Sequence, residues 1–105
     1  MSARPIALIT GASAGIGESF ARYLAEHGHE LVIVARDQAR LRERADRWQS
    51  SYGVAVEVLP ADLATSEGMN SVENRLKDRS KPIEVLINNA GFGINKSFLA
   101  STIDD

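Results

Sequence analysis

The chain has no cysteine among its 105 residues, which excludes disulfides and thiolate metal sites and leaves the redox compartment undecided. It also has little net charge. Twelve basic side chains against 14 acidic ones leave a formal −2, too small a balance for general attraction to nucleic acid or anionic membrane. Long hydrophobic runs are missing as well: even Leu31-Val32-Ile33-Val34-Ala35 falls far short of the ~20 residues of a transmembrane helix. Near the start, Arg4-Pro5-Ile6-Ala7-Leu8-Ile9 has the flavour of a secretory leader, but its apolar part is short and breaks at once into Thr10-Gly11, so the cytoplasm is the expected location. There is no repeat, linker or low-complexity stretch. What remains, 44% hydrophobic and 25% charged, is ordinary for a globular protein and sufficient for one domain or part of one.

The apolar pattern alternates between two periods. Ile6–Thr10 reads as a buried strand, followed by a helix from about Gly15 to His27 with Ile16, Phe20, Tyr23 and Leu24 on one face and Gly28 to end it. Leu31–Ala35 is a second fully apolar strand. Asp37 is placed to cap a second helix carrying Leu41, Ala45, Trp48 and Tyr52 inward, with Gly53 at its end. Val54–Leu59 is expected as a third strand. Ser66 is expected to cap a third helix with Met69, Val72 and Leu76 inward, and Glu84–Asn88 is a fourth strand. Alternating strands and helices predict an α/β fold, a doubly wound parallel sheet between helix layers. Right-handed crossovers give the strand order 3-2-1-4, with ligands beyond the carboxyl ends of the strands. Ser101-Thr102-Ile103-Asp104-Asp105 has the chemistry of a helix beginning, and a fourth strand at the sheet edge calls for cover. The chain is therefore expected to be the N-terminal portion of a longer domain, its C-terminal part missing.

Chemistry concentrates at that sheet edge. Thr10-Gly11-Ala12-Ser13-Ala14-Gly15-Ile16-Gly17 joins the first strand to the first helix, where unpaired N–H groups and the helix dipole favour a phosphate. Glycine is needed where the chain turns sharply or lies against a ligand. The competing reading is a strand-to-helix turn whose glycines serve packing alone. Arg36 follows the second strand, where an acid would receive the ribose hydroxyls of NAD and a guanidinium would pair with the 2′-phosphate of NADP. Ser13 is placed to help with that phosphate. NADP(H) is thus favoured over NAD(H), although Asp37 stands close enough to serve a ribose. Asp62-Leu63, after the third strand, offers an acceptor for adenine N6 beside an apolar flank, or else only a loop acid leading into a helix. Asn88-Asn89-Ala90-Gly91 closes the fourth strand with two amides and then room for a flat ligand.

These three segments, in this order and spacing, resemble the common form of the short-chain dehydrogenase/reductase family, over essentially the whole chain. The resemblance implies a Rossmann-type fold and cofactor contacts through Gly11, Ser13, Ala14, Gly15, Ile16 and Gly17 of the loop. It also implies contacts through Arg36, Asp62 and Leu63, and through Asn89, Ala90 and Gly91, with Asn88 largely structural. The resemblance further implies a small carbonyl or alcohol substrate and a homo-oligomeric, dimeric or tetrameric, full-length protein. In that family the catalytic Ser, Tyr-x-x-x-Lys and a supporting Asn follow the Asn-Asn-Ala-Gly segment. Here Tyr23 is followed four residues on by His27, and Tyr52 by Val56. Neither belongs to the motif, both are expected in the core, and no catalytic residue is assigned.

Other readings are weaker. A P-loop NTPase needs Gly-Lys-Ser/Thr where this chain has Gly17-Glu18-Ser19, and a methyltransferase wants an acid where Ala35-Arg36 stands. His27 and His29 are expected at the surface, not as metal ligands. The arginines from Arg36 to Arg47 are interleaved with Asp37, Glu43 and Asp46, as on a solvated helix. Two functions from different classes stay open: an NADP(H)-dependent oxidoreductase, and a non-catalytic dinucleotide-binding or redox-sensing module.

Overall fold

Apolar runs without alternation become strands covered on both sides. In the computed structural model of the chain, which describes residues 4–89, the elements follow as β1 (Ile6–Thr10), α1 (Gly15–Glu26), β2 (Glu30–Ala35), α2 (Gln38–Tyr52), β3 (Val56–Pro60), α3 (Ser66–Lys77) and β4 (Val85–Asn88). The strands form one parallel sheet in the order β3-β2-β1-β4, the order expected from right-handed crossovers. Leu8 of β1 lies level with Val32 of β2 and Leu86 of β4.

Because side chains alternate across a strand, the two inner strands feed two cores. Ala7, Ile9, Leu31 and Ile33 face α1 and α2, packing with Ala21, Ala25, Leu41, Ala45 and Trp48. Leu8, Val32 and Val34 face the other way, onto Val72 and Leu76 of α3 with Leu63 and Ile83. This is the three-layer Rossmann-type arrangement. Among the described residues no helix is long and apolar enough to cross a membrane.

The first helix departs from expectation. Gly17, Ala21 and Ala25 are its buried positions, while Ile16, Phe20 and Tyr23 are 67%, 45% and 57% exposed. Tyr23 is therefore no core residue. It stacks instead on His27, whose Nδ1 lies 2.8 Å from the Tyr23 carbonyl oxygen. The helix carries two neighbouring apolar stripes, and the one made of small residues faces the sheet because only it permits close approach. Tyr52 is half-buried against the core, as expected.

Several boundaries also move by a residue or two, and two of them have a local cause. Thr65, not Ser66, caps α3, its Oγ1 accepting the Gly68 N–H at 3.0 Å. The third strand starts at Val56, where the backbone N–H is donated sideways to the Gln49 Oε1 of α2 at 3.1 Å.

Trp48 is the largest fully buried side chain. Trp48→Ala is expected to cost about 3–5 kcal/mol, read as a lower urea midpoint. An unchanged midpoint would contradict the packing described.

Candidate functional site

The carboxyl ends of β1, β2 and β3 open onto one groove of about 700 Å³, lined by Gly11 and Ser13, by Ala35, Arg36, Asp37 and Arg40, and by Ala61 to Ala64. The loop after β1 is held to the end of β2: the Gly11 and Ala12 N–H groups both donate to the Val34 carbonyl, at 2.8 and 3.2 Å. The turn then enters α1 through Gly15 at φ +62°, left-handed backbone that glycine adopts without strain.

Gly17 shows why the spacing is needed. A Cβ there would lie 2.1 Å from the Gly11 carbonyl oxygen and 2.8 Å from Asn89 Nδ2. The helix start is thus pressed onto its own approach strand, beside the amide that follows β4. This glycine serves packing, and it sets the start of α1 just after the Gly11–Ser13 turn that lines the groove. Ala14 stands at the N-cap and supplies no side-chain cap. Glu18 makes the first helical hydrogen bond, to the Ala14 carbonyl at 3.4 Å, so the N–H groups of Gly15, Ile16 and Gly17 have no helical partner. The other two helices are capped by their own side chains, Asp37 and Thr65. Orphan donors, a helix dipole and a close-lying backbone together fit a pyrophosphate.

The carboxylates divide their work. Asp37 Oδ1 accepts the Arg40 N–H at 3.0 Å, which commits that oxygen to capping α2, while the residue still borders the groove. Asp62 Oδ1 accepts the Ala64 N–H at 3.0 Å, and the Asp62 carbonyl takes the Thr65 hydroxyl at 2.7 Å. One oxygen of Asp62 therefore serves the turn, while the side chain still borders the groove. Gly68 fixes this turn, since a Cβ there would meet the Asp62 carbonyl oxygen at 1.9 Å. Leu63 is buried yet lines the groove. Asn88 Oδ1 accepts from the buried Thr10 hydroxyl at 3.0 Å, tying β4 to β1. Asn89 lies against Gly17, and Ala90 and Gly91 fall outside the described residues.

Sequence reasoning missed Arg40. It lies in the first turn of α2 and lines the groove with Arg36, so two arginines border the place where a 2′-phosphate was expected. Its place three residues after the Asp37 cap, in the first turn of α2, was the available signal.

The chain belongs to the short chain dehydrogenase family, whose model matches residues 5–105. It is 32% identical over 99 residues to an uncharacterised oxidoreductase of Staphylococcus saprophyticus, covering 94% of this chain and 42% of that protein. A short-chain dehydrogenase from Sphingobium yanoikuyae in complex with NADPH is 50% identical, with a TM-score of 0.79 over 83% of this chain and 34% of that one. L-sorbose reductase from Gluconobacter frateurii, complexed with NADPH and L-sorbose, is 37% identical with a TM-score of 0.77, over 87% of this chain and 35% of that one. The chain thus spans less than half the length of these proteins.

Gly17→Ala is expected to destabilise the fold by about 1–3 kcal/mol, because backbone rather than a flexible side chain stands in the way. Chemical denaturation measures this, and a wild-type midpoint would contradict the close approach of Gly17 to Gly11.

Proposed function

We propose that the chain is the cofactor-binding part of an NADP(H)-dependent oxidoreductase that interconverts a carbonyl and an alcohol on a small molecule. The observation that carries this reading is the end of β2. Arg36 and Arg40 border the groove there, and the neighbouring acid, Asp37, spends an oxygen on a helix cap. A guanidinium pair suits a 2′-phosphate dianion. The NADPH complexes of the Sphingobium and Gluconobacter relatives support the same choice.

Each contact has a physical role in this reading. The N–H groups at Gly15, Ile16 and Gly17 receive the pyrophosphate, with Gly11 and Ala14 leaving room for it. Ser13 and Arg36 take the 2′-phosphate, joined by Arg40. Asp62 accepts the adenine amine while Leu63 flanks the ring. Asn89, Ala90 and Gly91 carry the line of contact toward the end of β4. Ile16, exposed at the first turn of α1, gives an apolar surface beside the site. When bound, the nicotinamide supplies the hydride, and the protein's task is to orient it and exclude water. The general acid/base belongs to a Tyr-x-x-x-Lys, a motif these 105 residues do not contain. The active protein is accordingly proposed to be longer and, like its family, oligomeric.

Arg36→Ala is expected to weaken NADPH by about 1.5–3 kcal/mol, the worth of a charged hydrogen bond, while changing NADH binding little. Calorimetric titration with both cofactors checks this, and equal losses for the two would refute the 2′-phosphate role. The 105 residues alone are expected to show no carbonyl reduction in a spectrophotometric NADPH assay. Measurable turnover would refute the placement of the acid/base outside them.

A further inference from the structure

Arg44 sits on α2 one turn beyond Arg40, but it turns inward. Its side chain is 18% exposed, and its Nε lies 2.7 Å from Glu18 Oε2, itself on a side chain 28% exposed. The Nε–H is not aligned for a hydrogen bond with that oxygen, so the contact is an ion pair held by charge. Nη2 donates to the Ser13 carbonyl at 3.4 Å, and Nη1 contacts Glu43. Glu43 is otherwise engaged by Arg47, at 2.8 to 3.1 Å. Arg47 first and Arg44 second hold its carboxyl below the usual carboxylate range. One guanidinium therefore joins α2 to the glycine loop and to the first turn of α1.

Glu18 makes this junction matter. An acid in the first turn steadies an empty helix by complementing the dipole. The same negative charge opposes an anion arriving at that N-terminus. We propose that Arg44 is a positioning residue for the phosphate loop: it neutralises Glu18 and holds the Ser13 carbonyl, so that the N-terminus of α1 meets a pyrophosphate without an opposing charge. This rests on the dinucleotide reading of the groove. The effect falls on the phosphates common to NADPH and NADH, unlike that of Arg36.

The test is calorimetric titration of the full chain with NADPH, NADH and inorganic pyrophosphate, with thermal melting of every variant measured alongside. Arg44→Met is expected to weaken both dinucleotides by roughly tenfold, the size of one uncompensated charge acting through a partly solvated path. Adding Glu18→Gln to it is expected to restore most of that loss. The deficit of Arg44→Met should also narrow as salt rises from about 0.05 to 0.5 M, because the repulsion is then screened. Arg44→Lys keeps the charge and is expected to bind within about threefold of wild type by the same Coulomb estimate; it serves as the test should Arg44→Met not fold. Wild-type affinity in Arg44→Met, no recovery in the double variant, or a tenfold loss in Arg44→Lys would each overturn the proposal. Failure of the wild-type chain to bind any of the probes would instead overturn the dinucleotide reading itself.

Discussion

The close approach of α1 to the loop that precedes it sets the rest of the site. With no side chain at Gly17, the helix start rests on the Gly11 carbonyl and beside the Asn89 amide. That contact puts the positive end of a helix dipole at the tops of the strands, next to the groove that runs across β2 and β3. It also chooses which stripe of α1 is buried. A helix pressed this tightly to the sheet has Gly17, Ala21 and Ala25 as its buried positions, with Leu24 packed beside them, while Ile16, Phe20 and Tyr23 turn outward.

Around this contact, backbone hydrogen-bonding capacity is unevenly assigned. Asp37 and Thr65 satisfy the starts of α2 and α3, while α1 receives no side-chain cap. Buried orphan donors are costly unless something meets them. In the proposed function a ligand bearing phosphate oxygens meets the donors at the start of α1. Positive charge is layered behind and beside them: Arg36 and Arg40 border the groove, and Arg44 stands beneath the loop with Glu18.

Much of this was legible in the sequence, for identifiable reasons. Unbroken runs such as Leu31–Val34 have one buried solution in an α/β chain, so the strands and their order followed. Asp37, Gly28 and Gly53 marked helix ends through local chemistry that tertiary packing had no reason to overrule. The orientation of α1 was not legible: its two apolar stripes satisfy the same period, and the choice depends on a backbone contact between Gly11 and Gly17. The cap of α3 slipped by one residue because Thr65 and Ser66 offer the same hydroxyl, and the Asp62 turn decides between them. Arg40 and Arg44 looked like members of a solvated arginine series. Only the rotation of α2 against the loop shows that one borders the groove and the other reaches Ser13 and Glu18.

In the proposed function a dinucleotide pyrophosphate is received by the N–H groups at the start of α1, which have no helical partner. Amide-resolved NMR of the full chain titrated with NADPH tests it most directly. The backbone amides of Gly15, Ile16 and Gly17 are expected to shift most, together with those at the end of β2. Saturable binding that leaves those three amides unmoved would contradict it.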